Sequence, residues 1–67
     1  MNLQDIAKKH RVSENFLNSK EDALNIGAAS IDDLIFQVKK GNLENEQLIH
    51  HLTRLRNFLA DVKNSTH

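Results

Sequence analysis

From Leu48 to Val62 the large apolar residues Leu48, Leu52, Leu55, Leu59 and Val62 recur at alternating spacings of four and three. That is the pattern of a helix packing lengthwise on another helix. At about 100° per residue the five project into an arc of roughly 80°. Upstream, Phe16, Leu17, Ala23, Leu24, Gly27, Ala28, Ile31, Leu34, Ile35 and Val38 share one face about 140° wide if 14–40 is a single helix. Leu17, Leu24, Ile31 and Val38 follow one another by sevens, as in a coiled coil. Two features favour a break: Gly27, which costs ~1 kcal/mol against alanine in a helix interior, and Ser30-Ile31-Asp32-Asp33, which reads as a fresh N-cap. The stripe crosses both without a phase slip, so the pattern predicts one helix, bent near 27–30. Gly27 and Ala28 then lie in the seam, where small side chains permit close approach.

Local signals complete the chain. A short helix over 2–9 carries Leu3, Ile6 and Ala7 on one side and Asp5 near its positive end. Ser13, followed by Glu14, suits the N-cap of the long helix. Lys39-Lys40-Gly41-Asn42 suits its end, with two lysines on the negative pole, a left-handed glycine and an asparagine to cap the last helix. A helix over 43–63 opens on Glu44 and Glu46, and so short a connection joins antiparallel neighbours. The tail 64–67 is polar and reads as frayed. The expectation is an all-α fold in a single domain, 1–67: an antiparallel helical hairpin with a short N-terminal helix.

Composition sharpens this picture in one respect. A core built from 67 residues rarely supplies more than ~3–5 kcal/mol, and small domains usually add disulfides, a metal or a partner. The chain has no cysteine, which removes disulfides and thiolate metal sites and suits a reducing cytoplasm. Association remains, and a homodimer closing two hairpins into a four-helix bundle is the structural expectation. Nine basic and nine acidic residues cancel, so there is no overall field for phosphate binding. No apolar run approaches the ~20 residues of a membrane span, and the first residues lack the apolar core of an export signal. The expected location is the cytoplasm, and on that reading the Asn64-Ser65-Thr66 sequon is fortuitous.

Function is less legible. Phe36, Ile49 and Ile26 fall outside the stripes, and Phe36 and Ile49 flank the Gly41 turn. Isolated exposed apolar residues are common, yet a small core already asks for a partner. The candidate interface is therefore Phe36, Ile49, Leu52, Leu55, Phe58 and Leu59, serving a second copy or another helical protein. The densest basic cluster is Lys8-Lys9-His10-Arg11. The stretch Ile6-Ala7-Lys8-Lys9-His10-Arg11-Val12-Ser13-Glu14-Asn15-Phe16-Leu17 resembles the helix-turn-helix core of bacterial transcription regulators, with Arg11 where such motifs often carry a turn glycine. The resemblance implies that Ser13, Glu14, Asn15, Asn18 and Ser19 face the DNA groove while Lys8, Lys9 and Arg11 touch phosphates. His50 and His51 diverge by about 100° on a helix and lack a second histidine at ligand spacing. They suggest tuning of association near pH 6 before they suggest a metal. No cofactor is expected. With no nucleophilic cysteine, phosphate loop or triad spacing, and no pocket expected for a small-molecule substrate, the chain reads as a non-enzyme.

Overall fold

The computed structural model describes residues 1–65. Three helices follow one another, α1 (Leu3–His10), α2 (Lys20–Lys39) and α3 (Asn45–Lys63), with a single 3₁₀ turn at Glu14–Phe16 between the first two. The fold is all-α: α2 and α3 form the antiparallel hairpin, and α1 packs across its open end. The body is a rod of 39 × 17 × 16 Å.

Each boundary has a local chemical cause. Asn2 caps α1 by accepting the Asp5 amide at 2.9 Å. At the other end the Val12 amide donates to the Ala7 carbonyl and the Arg11 amide to Lys8, with Arg11 left-handed at φ 58°. This is a Schellman closure. The same closure ends α2, where Asn42 donates to Gln37, Gly41 donates to Val38 and Gly41 has φ 74°. A glycine adopts that conformation freely, whereas an arginine is strained by it.

The long helix begins later than its stripe suggested. Ser13 opens only the 3₁₀ turn and makes no side-chain cap. Ser19 is the working N-cap: its Oγ accepts the Asp22 amide at 3.1 Å, while Asp22 Oδ2 accepts the Asn18 amide at 2.9 Å. Between these turns Leu17, at φ −127° and ψ 75°, leaves the helical conformation and drops from the loop into the core. Past Gly27 the helix is continuous. Ser30 does not start a new helix; its Oγ donates back to the Ile26 carbonyl at 2.9 Å.

That later start rotates α2 relative to the predicted face. Its inner side is Ala23, Ile26, Gly27, Ser30, Leu34 and Gln37, all buried or half-buried. Leu24, Ala28, Ile31, Ile35 and Val38 form a second stripe, centred about 110° away around the helix, and all are exposed. Of the heptad Leu17-Leu24-Ile31-Val38 only Leu17 is buried, and Leu24 stands 66 % exposed. Ile26, predicted outside the stripe, packs against the core. Gly27 belongs in the seam as expected: a Cβ there would meet Leu59 Cδ2 at 3.2 Å.

On α3 the predicted seam holds with one exchange. Leu48, Leu55, Leu59 and Val62 turn inward, Phe58 joins them, and Leu52 is exposed. The N-cap is Glu44 rather than Asn42; its amide donates to the Gln47 side chain at 3.0 Å. Asn64 and Ser65 hold to the helix end, with Ser65 Oγ donating to the Val62 carbonyl at 2.8 Å. The rest of the tail, including Thr66 of the sequon, lies outside the described residues.

Candidate interaction surface

The core is concentrated at the open end of the hairpin. Ile6 and Ala7 of α1, Leu17 of the loop, Ala23 of α2, and Phe58 and Val62 of α3 form its buried centre. By helical projection, α1 lies against the side of α3 that carries Phe58 and Asp61. There Lys9 Nζ donates to Asp61 Oδ2 at 3.0 Å, and His10 Nε2 lies 2.8 Å from the same oxygen. The His10 ring meets Phe58 edge-on, with 5.3 Å between centroids. Hydrogen bonding from His10, then from Lys9, holds the Asp61 carboxyl below the ordinary aspartate value despite partial burial.

Among the described residues, the opposite side of the hairpin has no such cover. Ile31, Leu34, Ile35, Val38 and Lys39 of α2 and Leu48 and Leu52 of α3 line an open groove of about 390 Å³. Its wall is aliphatic apart from the Lys39 side chain, and the stripe continues along α2 through Ala28 to Leu24. Leu24 to Val38 spans about 21 Å of helix. Small-molecule sites place a few polar groups to orient a ligand; apart from Lys39 this groove is lined by aliphatic side chains alone.

A second, smaller notch of about 170 Å³ lies on the α1 side, bounded by His10, Val12, Ile26, Ser30, His51, Arg54, Leu55 and Phe58. Small-molecule pockets usually enclose about 300–1,000 Å³, so this notch is a seam between α1 and the hairpin.

The predicted interface residues separate accordingly. Leu52 lines the groove, and Ile49 is exposed on the same flank of α3. Leu55 and Leu59 pack half-buried against the core, and Phe58, only 4 % exposed, is inside it. Those three serve the packing of the hairpin, with Leu55 and Leu59 keeping part of their surface exposed. Phe36 is exposed but lies off the groove on the outer side of α2, with Lys40 Nζ 5.1 Å from its ring centroid. The residues that periodicity alone misses are Leu24, Ile31, Ile35 and Val38. It places them in the hairpin seam, and the Ser19-x-x-Asp22 capping pattern is the signal that resets the phase.

The basic cluster has partners inside the chain. Lys9 and His10 hold Asp61, and Lys8 Nζ lies 3.8 Å from Glu14 Oε1. Arg11 is the left-handed residue after α1. Ser13, Asn15 and Asn18 sit in the loop, where Asn18 Nδ2 donates to the Asn15 carbonyl at 3.0 Å. The second α-helix that a helix-turn-helix places after Ser13 does not form: Glu14–Phe16 is one 3₁₀ turn, and α2 starts at Lys20. His50 and His51 are exposed with ring centroids 6.2 Å apart, and neither lines the groove. Among the described residues no three histidine or acidic side chains converge on one point, and no helix is long and apolar enough to cross a membrane.

The chain matches no known family model, and no curated protein or solved structure aligns with it.

Proposed function

We propose that this chain is a small helical interaction module of the cytoplasm, acting by docking a helical protein surface onto the uncovered side of its hairpin. The observation that carries the reading is the aliphatic face of Leu24, Ile31, Ile35, Val38 and Leu52, all exposed on a domain of only 67 residues. A face of this kind on a small domain marks an interaction site or an aggregation liability. The charged residues along its margins fit the anatomy of an interface, an apolar centre with a polar rim. The cysteine-free composition fits a reducing compartment.

Ile35→Asp combined with Leu52→Asp tests the reading. Both sites are exposed, so the variant keeps its helical circular dichroism while losing association, whether with itself or with a protein that binds the wild-type chain. Association equal to wild type in a folded double variant would overturn the proposal.

A further inference from the structure

Resting on that reading, we infer that the occupant of the uncovered face is an amphipathic helix of another protein, one whose apolar stripe is flanked by aspartates and glutamates. The charges set into the face and its shape support this.

Leu24, Ala28, Ile31, Ile35 and Val38 span an arc of about 80° on α2, and Leu52 and Ile49 span about 60° on α3. Three charged residues fall inside these arcs. Lys20 stands at the angle of Val38, five turns earlier, and Lys63 and Arg56 stand about 20° and 40° from Leu52 on the side of Ile49. All three are cations, all are exposed, and none is in an ion pair among the described residues. A fourth cation, Lys39, stands about 20° outside the α2 arc, and its side chain lines the groove. The acids nearest the face, Glu21, Asp32 and Glu46, lie about 20°, 40° and 60° outside the arcs. The chain as a whole is neutral, so the positive sign belongs to this face and not to the protein.

The cations run the length of the hairpin. Lys20 and Lys63 sit at its open end, Arg56 about two turns from Lys63, and Lys39 at the end of α2. A helix with acids on both flanks of its stripe meets opposite charge at each of these levels. A second copy instead brings the same three cations to the face, with its acids outside the contact arcs. Exposed ion pairs add little affinity each, but like-charge contacts reject the wrong partner. The aliphatic residues supply the driving force.

The apolar residues line a groove between two helices. A helix laid in such a groove anchors through residues at i, i+3, i+4 and i+7 spacing. The stripe from Leu24 to Val38 has room for about four turns of it. A bilayer carrying anionic lipid would also answer the cations. Helices that lie on bilayers commonly use aromatic anchors, however, and the two arcs hold none.

Two labelled peptides of about 18 residues, about 27 Å as helix, read the sign of the partner. Both carry leucines at the spacing above; one has glutamates on the flanks of that stripe and the other has lysines. At about 20 mM salt the glutamate peptide should bind about tenfold more tightly by fluorescence anisotropy, and the gap should close near about 500 mM as exposed charges are screened. Lys20→Glu with Arg56→Glu changes two exposed residues, and a glutamate suits the first turn of α2. That variant keeps its helical circular dichroism and loses the preference. Equal binding of the two peptides by the wild-type chain, tighter binding of the lysine peptide, or no binding of either overturns the inference. So does a sedimentation-equilibrium mass of twice the chain, which gives the face to a second copy. Retention on phosphatidylserine vesicles without a preference between peptides gives it to a bilayer. The docking reading is tested apart from this by Ile35→Asp with Leu52→Asp. Equal binding of both peptides that this variant abolishes sinks the acidic partner and leaves the docking face standing, whereas peptide binding that it leaves at the wild-type level sinks both.

Discussion

The two sides of the α2–α3 hairpin are built from the same two helices and end up in opposite states. On one side α1 lies across the open end and contributes Ile6 and Ala7 to the core, while Lys9 and His10 converge on Asp61. On the other side Leu24, Ile31, Ile35, Val38 and Leu52 stay exposed. The difference is not simply one of hydrophobicity, since Leu24, Ile31, Ile35, Val38 and Leu52 are as apolar as the Ile26, Leu55, Leu59 and Val62 that the same two helices bring to the core. It lies in which described residues pack over each side. Eight residues of α1 can close one end of one side, and no described residue covers the other. The chain folds around its covered side and leaves its uncovered side exposed.

The largest effect that separates the two sides is expected from Phe58→Ala. Truncating a buried phenylalanine costs about 3–5 kcal/mol, comparable to the entire stability a core of this size supplies. Far-ultraviolet circular dichroism should show the variant largely unfolded at 25 °C at every protein concentration. Ile35→Asp should behave differently. Ile35 is exposed, so the intrinsic fold survives while the rise in melting temperature on adding the glutamate-flanked peptide disappears, because that rise comes from binding. If both variants shifted the melting temperature by the same amount at all peptide concentrations, the division into a folding side and a docking side would be wrong.

That division is only partly legible in the sequence. The Gly41 turn, the Leu48–Val62 seam and the all-helical class follow from local rules, and the structure keeps them with Phe58 in place of Leu52 in the seam. The start of α2 does not follow, because Ser13 and Ser19 are both good N-caps. Only the Asp22 carboxylate, three residues past Ser19 and bonded back to the Asn18 amide, decides between them. With Ser13 as the cap, Leu17 enters the helix, completes a heptad and pulls Leu24, Ile31 and Val38 into the seam. In the structure Leu17 reaches the core from the loop ahead of α2, so the sevenfold spacing is real but describes an outer face. Ile26 is displaced for the same reason. The basic cluster misleads for another: Lys9 and His10 find Asp61 across 52 and 51 residues of chain, and no periodicity reports a contact of that range.

The Asp61 contact gives the covered side a pH signature that the aliphatic side lacks. Hydrogen bonds from His10 and Lys9 lower the Asp61 pKa in the folded state. Its stabilising contribution is therefore complete above the unfolded-state value and is lost as pH falls through the lowered folded-state value. Urea midpoints of wild type and Asp61→Asn should differ at about pH 5 and converge as acid approaches the lowered pKa. Ile35→Ala, which touches no titrating group, should keep a constant offset from wild type over the same range. Convergence for Ile35→Ala, or a constant offset for Asp61→Asn, would reverse the assignment of charge to the covered side.

The smallest expected effect concerns how α1 is attached. Both α1 and α2 end in a Schellman closure with a left-handed residue, Arg11 at φ 58° and Gly41 at φ 74°. A non-glycine residue there carries about 1–2 kcal/mol of strain, and glycine relieves it at some cost in unfolded-chain entropy. Arg11→Gly should therefore stabilise the domain by up to about 1 kcal/mol, or roughly 4–8 °C in melting temperature for a chain of this length. Gly41→Ala should destabilise by a similar amount, since no atom lies within 4 Å to obstruct the added Cβ and conformational strain is the only penalty. The informative quantity is where the Arg11→Gly gain appears. Because α1 closes the core through Ile6 and Ala7, the gain should raise the single cooperative transition of the whole domain, independent of protein concentration. If native-state hydrogen exchange instead showed the amides of Ile6 to His10 slowing alone, with those of α2 and α3 unchanged, α1 would be a separately fraying cover. The hairpin would then have two weakly covered sides.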